Sequence, residues 1–183
     1  MKQVLVIHGG DSFKTYDEYL ASLQAYELDD PRMPRGKGWK SLLGERLGSD
    51  YQVIAPRMPN AANARYGEWK IWFEKHIPFL DEKVILIGHS LGGCFLARYL
   101  SEEKFPKTIL STFLIAAPFG PGEDGHLTEF VPHGPFTLFE AQGGWCTYTT
   151  RRMTKSCRSQ NVKSIAQHSQ LQPYGSLRIR IIL

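Results

Sequence analysis

The 183-residue sequence has no run of 18 apolar residues, which is about the length that a membrane-spanning helix needs. Its three cysteines, Cys94, Cys146 and Cys157, stand at unrelated spacings, so neither a disulfide framework nor a metal-ligand motif is predicted. The N-terminal MKQVLVIHGG lacks the apolar core and cleavage site of a signal peptide. We therefore expect one cytoplasmic domain with no membrane partner, no metal and no cofactor.

Acidic residues are absent from the last quarter of the chain. Residues 141–183 carry seven Lys or Arg and no Asp or Glu, and subtracting these from the totals of 22 and 18 leaves 15 basic and 18 acidic residues in 1–140. The net charge of +4 therefore originates in the tail. A basic tail is one sign of nucleic-acid binding, but this one has no interleaved aromatics and no recognition motif, so we predict no nucleic-acid partner.

The most informative stretch is Lys83–Tyr99, KVILIGHSLGGCFLARY. Four apolar residues, Val84 to Ile87, predict a buried strand. The pattern G-x-S-x-G follows over Gly88–Gly92, and the apolar residues after it recur at helical spacing. A strand, a tight turn with serine at its tip and a helix form the context of a nucleophile elbow, so Ser90 is the predicted catalytic nucleophile.

The residues around Ser90 fit that chemistry. Gly88 and Gly92, which flank His89 and Ser90 in the elbow, predict close approaches where a Cβ would collide with a neighbouring strand or helix. The Leu91 N–H begins the helix, where an oxyanion is stabilised. The first strand runs into His8-Gly9-Gly10, which resembles the loop that supplies the second oxyanion N–H in α/β-hydrolases, and Gly10 is the candidate donor. His8 is interpreted as a structural residue of that loop.

Strand and helix patterns alternate through residue 120, which predicts a mostly parallel α/β sheet covered on both faces. Residues 11–38 are a long connection with one short helix, and they fit a lid over the site or a solvated surface excursion. The predicted strands are Val4–Ile7, Tyr51–Ala55, Val84–Ile87 and Thr108–Ala116, and the main helices are Trp39–Leu47, Tyr66–Leu80 and the one after Ser90. Trp69 and Trp72 are both predicted to lie in the core.

Residues 1–120 resemble the small serine-hydrolase branch of the α/β-hydrolase superfamily, the group of retinoblastoma-binding protein 9-like and YdeN-like proteins. The matching segments are VIHGG, VIAPRMPN, W-x-x-W and VILIGHSLGG. The resemblance implies a compact three-layer α/β sandwich and an esterase-like hydrolysis of a small-molecule ester or amide. It leaves the substrate and the oligomeric state open.

The resemblance stops after residue 120. The superfamily continues with an Asp or Glu and then a His to complete the triad, but neither expected turn occurs in residues 121–183. Asp124, His126, His133 and His168 have no matching context. We therefore expect the fold to be incomplete or irregular after about residue 125, with hydrophobic faces left uncovered and marginal stability.

A reading frame shifted by one base would explain why the expected acid and histidine turns are missing from the end of the chain. In that frame, each new codon joins the third base of one written codon to the first two bases of the next. Trp145-Cys146 then encodes Val and Met153-Thr154 encodes Asp, and neither result depends on which synonymous codons are used. The same offset permits D-E-I-V-P after a strand, which is the family's acid turn, and a His across Ile181-Ile182. The sequence thus suggests a frameshift between about residues 125 and 145.

Two main functions compete on this reading. One is a serine hydrolase that lacks a recognisable acid and base as written. The other is a non-catalytic binding protein that keeps the hydrolase fold and pocket.

Overall fold

The computed structural model describes residues 1–30, 32, 38–118, 127–132 and 135–149. Through residue 118, strands and helices follow one another as expected from the sequence, and a further helix and strand form within 135–149. The elements are β1 (Lys2–Ile7), α1 (Tyr16–Ala25), α2 (Trp39–Leu47), β2 (Tyr51–Ile54), α3 (Tyr66–His76), β3 (Lys83–His89), α4 (Leu91–Glu102), β4 (Thr108–Ile115), α5 (Thr137–Gln142) and β5 (Trp145–Thr149). In this part of the chain, every helix is too short or too polar to cross a bilayer.

The five strands form one sheet in the order β2-β1-β3-β4-β5, and all four pairings are parallel. The predicted α/β class with a mostly parallel sheet is therefore confirmed. The chain steps from β1 to β2 in one direction and then returns past β1 to β3. Ligands of such sheets bind at the carboxyl ends of the strands where this reversal occurs, which here is the crevice between β1 and β3.

Helices cover both faces of the sheet. Because successive strand residues point to opposite faces, β1 sends Leu5 and Ile7 into a large core and Val4 and Val6 into a smaller one. The large core includes Trp69 and Phe73 of α3 and several residues of α4, among them Phe95. In the smaller core, α2 supplies Leu43 and Leu47.

The expectation of an irregular chain after residue 125 is wrong for the segment 135–149. This segment forms α5 and then β5, which pairs in parallel register with Ser111–Ile115. The sequence signal was weak because only Cys146 and Tyr148 of β5 pack against the large core, while Trp145 on the other face is 64% exposed.

The predicted helix Tyr66–Leu80 is also shorter than expected. It ends at His76, and a 3₁₀ turn follows over Ile77–Phe79 because Pro78 cannot continue an α-helix. Trp72 is not a core residue, since it is 42% exposed whereas Trp69 is fully buried. The two differ because Trp69 and Phe73 lie four residues apart on the buried face, and Trp72 lies beside that face.

Within the connection 11–38, Ser12 and Phe13 are buried, but α1 buries none of its residues. A capping box between Thr15 and Glu18 fixes the start of α1. The described part of this connection is therefore a surface helix attached to the body by the residues just before it.

Replacing Trp69 with alanine will destabilise the fold strongly. Its ring packs against Phe95, Phe130 and His8, and its Nε1–H donates to the Pro59 carbonyl at 2.8 Å. Loss of a buried aromatic side chain costs about 3–5 kcal/mol, so the urea midpoint should fall sharply in Trp69→Ala. The matched control is Trp72→Ala, whose exposed ring predicts a change of about 0.5 kcal/mol. Equal effects of the two substitutions would contradict this packing.

Candidate active site

Ser90 occupies the turn between β3 and α4 in a strained conformation. Its backbone has φ 53° and ψ −124°, a region that residues with a Cβ seldom adopt. The surroundings hold it there, because the Ser90 N–H donates to Ile115 O at 2.8 Å and Ser90 O accepts from the N–H of Gly93 at 2.8 Å. The half-buried serine thus stands at the carboxyl end of β3, beside the end of β1.

The glycines of the elbow allow backbones to approach closely. A Cβ on Gly88 would lie 2.5 Å from Gly92 O, and a Cβ on Gly92 would lie 2.4 Å from Ile7 O and 2.5 Å from His8 O. These distances are too short for any side chain, so the first turn of α4 lies directly against the end of β1. The close approaches are those that the G-x-S-x-G pattern predicts.

Two backbone segments converge on Ser90. Leu91 is the first residue of α4, where an N–H has no intrahelical acceptor and the helix dipole favours negative charge. From β1, the loop after Ile7 reaches the same place: a Cβ on Gly9 would lie 2.9 Å from the Cβ of Ser90. A preorganised pair of N–H groups at such a point can stabilise the oxyanion of an acyl-transfer intermediate.

The role of Gly9 was not anticipated from the sequence. Sequence analysis selected Gly10 as the second oxyanion donor, and Gly10 packs closely on the loop at Ala61, because a Cβ on Gly10 would lie 2.4 Å from Ala61 O. The next residue, Asp11, donates its N–H to that carbonyl at 2.8 Å. Gly10 therefore stays the predicted donor, and Gly9 provides the close approach to Ser90. In the sequence, the Gly9-Gly10 pair was the signal that could have indicated this close approach.

His8 has both ring nitrogens occupied by the backbone. Its Nδ1–H donates to Gly9 O at 2.6 Å, and its Nε2 accepts from the Met58 N–H at 2.8 Å. These bonds connect the loop after β1 to the proline-rich turn after β2. The geometry supports the interpretation of His8 as a structural residue of the loop.

His89 connects the elbow to α2. Its ring makes an edge contact with Trp39, with centroids 5.7 Å apart, and its Nδ1 lies 3.3 Å from the position that a Cβ on Gly9 would take. The contact with Trp39 was not anticipated, because the sequence identifies Trp39 only as the start of its helix.

The structure does not bring a triad acid and base to Ser90 within the ranges it describes. His76 lies on α3 and bonds the Trp72 carbonyl at 2.7 Å. The candidates Asp124, His126, His133 and His168 lie outside the described residues. The described site therefore consists of a candidate nucleophile and two candidate oxyanion segments.

Two cysteines offer no competing nucleophile. Cys94 is fully buried in α4, and burial raises the pKa of the Cys146 thiol to about 11. Because the thiolate is the reactive species, Cys146 stays protonated near neutral pH. In the described part of the chain, no three His, Cys, Asp or Glu side chains are grouped as metal ligands.

Three comparisons with known proteins bear on this site. A family model described as "Serine hydrolase" matches residues 33–142. Salicylic acid-binding protein 2 of Nicotiana tabacum is 49% identical over 51 residues, which are 28% of this chain and 18% of that protein. The crystal structure of the ydeN gene product from B. subtilis superposes with a TM-score of 0.52 at 20% identity, covering 81% of this chain and 70% of that one. The chain thus matches about a fifth of its curated relative, and the structural neighbour supports the fold.

Proposed function

Because the chain belongs to the serine hydrolase family, we propose that it hydrolyses a carboxylic ester or amide of a small molecule with Ser90 as the nucleophile. The observation that carries the proposal is the strained Ser90 turn between β3 and α4, pressed against the Gly9 loop. A serine at the tip of such a turn, with backbone N–H groups on two sides, is the arrangement that acyl transfer requires.

In the proposed reaction, Ser90 Oγ attacks the carbonyl carbon and loses its proton to a histidine base. The oxyanion accepts hydrogen bonds from the N–H groups of Leu91 and Gly10. The leaving alcohol or amine then takes the proton from the histidine, and an acyl-Ser90 ester remains. Water, deprotonated by the same histidine, attacks that ester and releases the carboxylic acid and free Ser90.

We assign the missing base and acid to the shifted reading frame. The family match ends at residue 142, within the interval of about 125 to 145 where the sequence suggests the break. In the shifted frame, Met153-Thr154 encodes the acid of the D-E-I-V-P turn, and Ile181-Ile182 permits the terminal histidine. The chain as written would then be an impaired form of the hydrolase. An intact genomic frame identical to the written one would contradict this assignment.

The proposal predicts that Ser90→Ala removes ester hydrolysis. The substrates are acetyl and butyryl esters of 4-nitrophenol and methyl salicylate, the last because one relative is named for binding salicylic acid. In the frame-restored chain, Ser90→Ala should lower kcat by at least about 10³-fold. The matched control is Ser101→Ala, at the far end of α4, where the hydroxyl bonds only the Arg98 carbonyl. Hydrolysis that persists in Ser90→Ala would refute the role of Ser90.

A second candidate function is small-molecule binding without turnover. It is favoured by one observation, namely that the described residues bring the nucleophile together with the oxyanion segments but with no recognised acid or base. The same substrates separate the two functions. A frame-restored chain that binds these esters without Ser90-dependent hydrolysis would support the binding protein.

A further inference from the structure

An aromatic side chain lies beside the nucleophile at the edge of the sheet. Trp39 is the first residue of α2, the helix that joins β1 to its parallel neighbour β2. A helix in such a crossover begins at the carboxyl edge of the sheet, which is the edge where Ser90 lies. Leu43 and Leu47 follow Trp39 at four-residue intervals along α2 and pack into the smaller core. Trp39 itself remains 39% exposed.

The ring of His89 lies between the indole of Trp39 and Ser90. It packs edge-on against the ring of His89 with centroids 5.7 Å apart and an interplanar angle of 65°. The His89 Nδ1 and the Ser90 Cβ lie 3.3 Å and 2.9 Å from the same point, the position of a Cβ on Gly9. Contacts therefore run from Trp39 through His89 and the Gly9 position to Ser90, and the partly exposed indole packs on His89, the residue before the nucleophile.

We propose that Trp39 is a specificity-determining residue whose indole contacts the aromatic or alkyl group of the substrate. This inference rests on the proposed function and names its substrate class, namely esters with an apolar group larger than methyl. An aromatic ring placed against the indole would lose its own hydration and gain an offset or edge contact. A methyl ester of acetic acid is too small to make that contact.

Direct binding tests the proposal without turnover. In a Ser90→Ala chain, phenyl butyrate and methyl acetate are titrated and their dissociation constants compared. Trp39→Ala should weaken phenyl butyrate binding by about 10-fold, the size expected for losing one aromatic contact together with its apolar area, and change methyl acetate binding by less than about 2-fold. Trp39→Phe, which retains a ring, should recover most of the affinity.

The chain provides a matched control in Trp72→Ala. Trp72 is 42% exposed and packs against His76 with centroids 5.6 Å apart at 65°, almost the geometry of the Trp39–His89 pair, but on α3. Its replacement should leave both dissociation constants unchanged. Equal weakening of both esters by Trp39→Ala, or the same loss in Trp72→Ala, would overturn the proposal.

Kinetics separate a substrate contact from a positioning role. In the frame-restored chain, Trp39→Ala should raise the KM for phenyl butyrate. It should leave the kcat for methyl acetate unchanged. A fall of kcat for both esters by the same factor would mean that Trp39 only holds His89 and the elbow, which contradicts substrate contact. If Ser90-dependent hydrolysis is absent but Trp39 still discriminates between the two esters, the proposed hydrolysis fails while the ligand site stands.

Discussion

Replacing Gly92 with alanine will prevent the chain from folding stably. The new Cβ would lie 2.4 Å from Ile7 O and 2.5 Å from His8 O, and both atoms belong to the backbone at the end of a central strand. Neither can move without separating α4 from β1, so we expect a loss of more than about 4 kcal/mol. Gly88→Ala should behave alike, because its Cβ would lie 2.5 Å from Gly92 O.

The matched control for these substitutions is Gly67→Ala. Gly67 lies in α3, and a Cβ there would meet nothing within 4 Å, so alanine should stabilise the helix by up to about 1 kcal/mol. Urea unfolding followed by far-ultraviolet circular dichroism measures all three variants. A Gly92→Ala chain with the midpoint of the parent would show that the elbow does not pack as described.

Restoring the shifted frame will raise Ser90-dependent ester hydrolysis by at least about 10³-fold over the chain as written. The reason is chemical: a serine hydroxyl without a base is a weak nucleophile, and losing the base of a triad costs as much as about 10⁶ in kcat. The written chain has the proposed nucleophile and oxyanion segments, so only the slower catalysis by binding and oxyanion stabilisation is expected from it.

Two substitutions in the restored chain make this prediction specific. Changing the aspartate encoded across Met153-Thr154 to asparagine, or the histidine encoded across Ile181-Ile182 to alanine, should return the rate toward that of the written chain. Equal Ser90-dependent rates for the written and restored chains would mean that the written chain supplies the base. The candidates would then be His126, His133 and His168.

The sequence predicted the elbow because every signal there is local. An apolar run, three residues of fixed type and a helical stripe lie within one short segment, Lys83–Tyr99, and the structure follows them as β3, the Ser90 turn and α4. The parallel sheet was predictable for a similar reason, since alternating strands and helices leave few other arrangements.

The features that the sequence did not predict have one physical origin. They depend on contacts between distant segments, which local sequence patterns do not show. Trp72 shares a helix with Trp69 but lies outside the buried face. The segment Trp145–Thr149 has the aromatic and β-branched residues that strands favour, but its place in the sheet depends on pairing with the edge of the distant strand β4. The approach of Gly9 to Ser90 and of Trp39 to His89 likewise depends on how β1, α2 and β3 meet.

The central claim is that Ser90 is the nucleophile of a hydrolase, and covalent labelling tests it most directly. The frame-restored chain and its Ser90→Ala variant are incubated with a fluorophosphonate, and intact mass and peptide mapping locate the adduct. We expect one adduct per chain, on Ser90, and none in Ser90→Ala. An adduct of equal yield in Ser90→Ala, or none in a folded chain that hydrolyses esters, would contradict the assignment of Ser90.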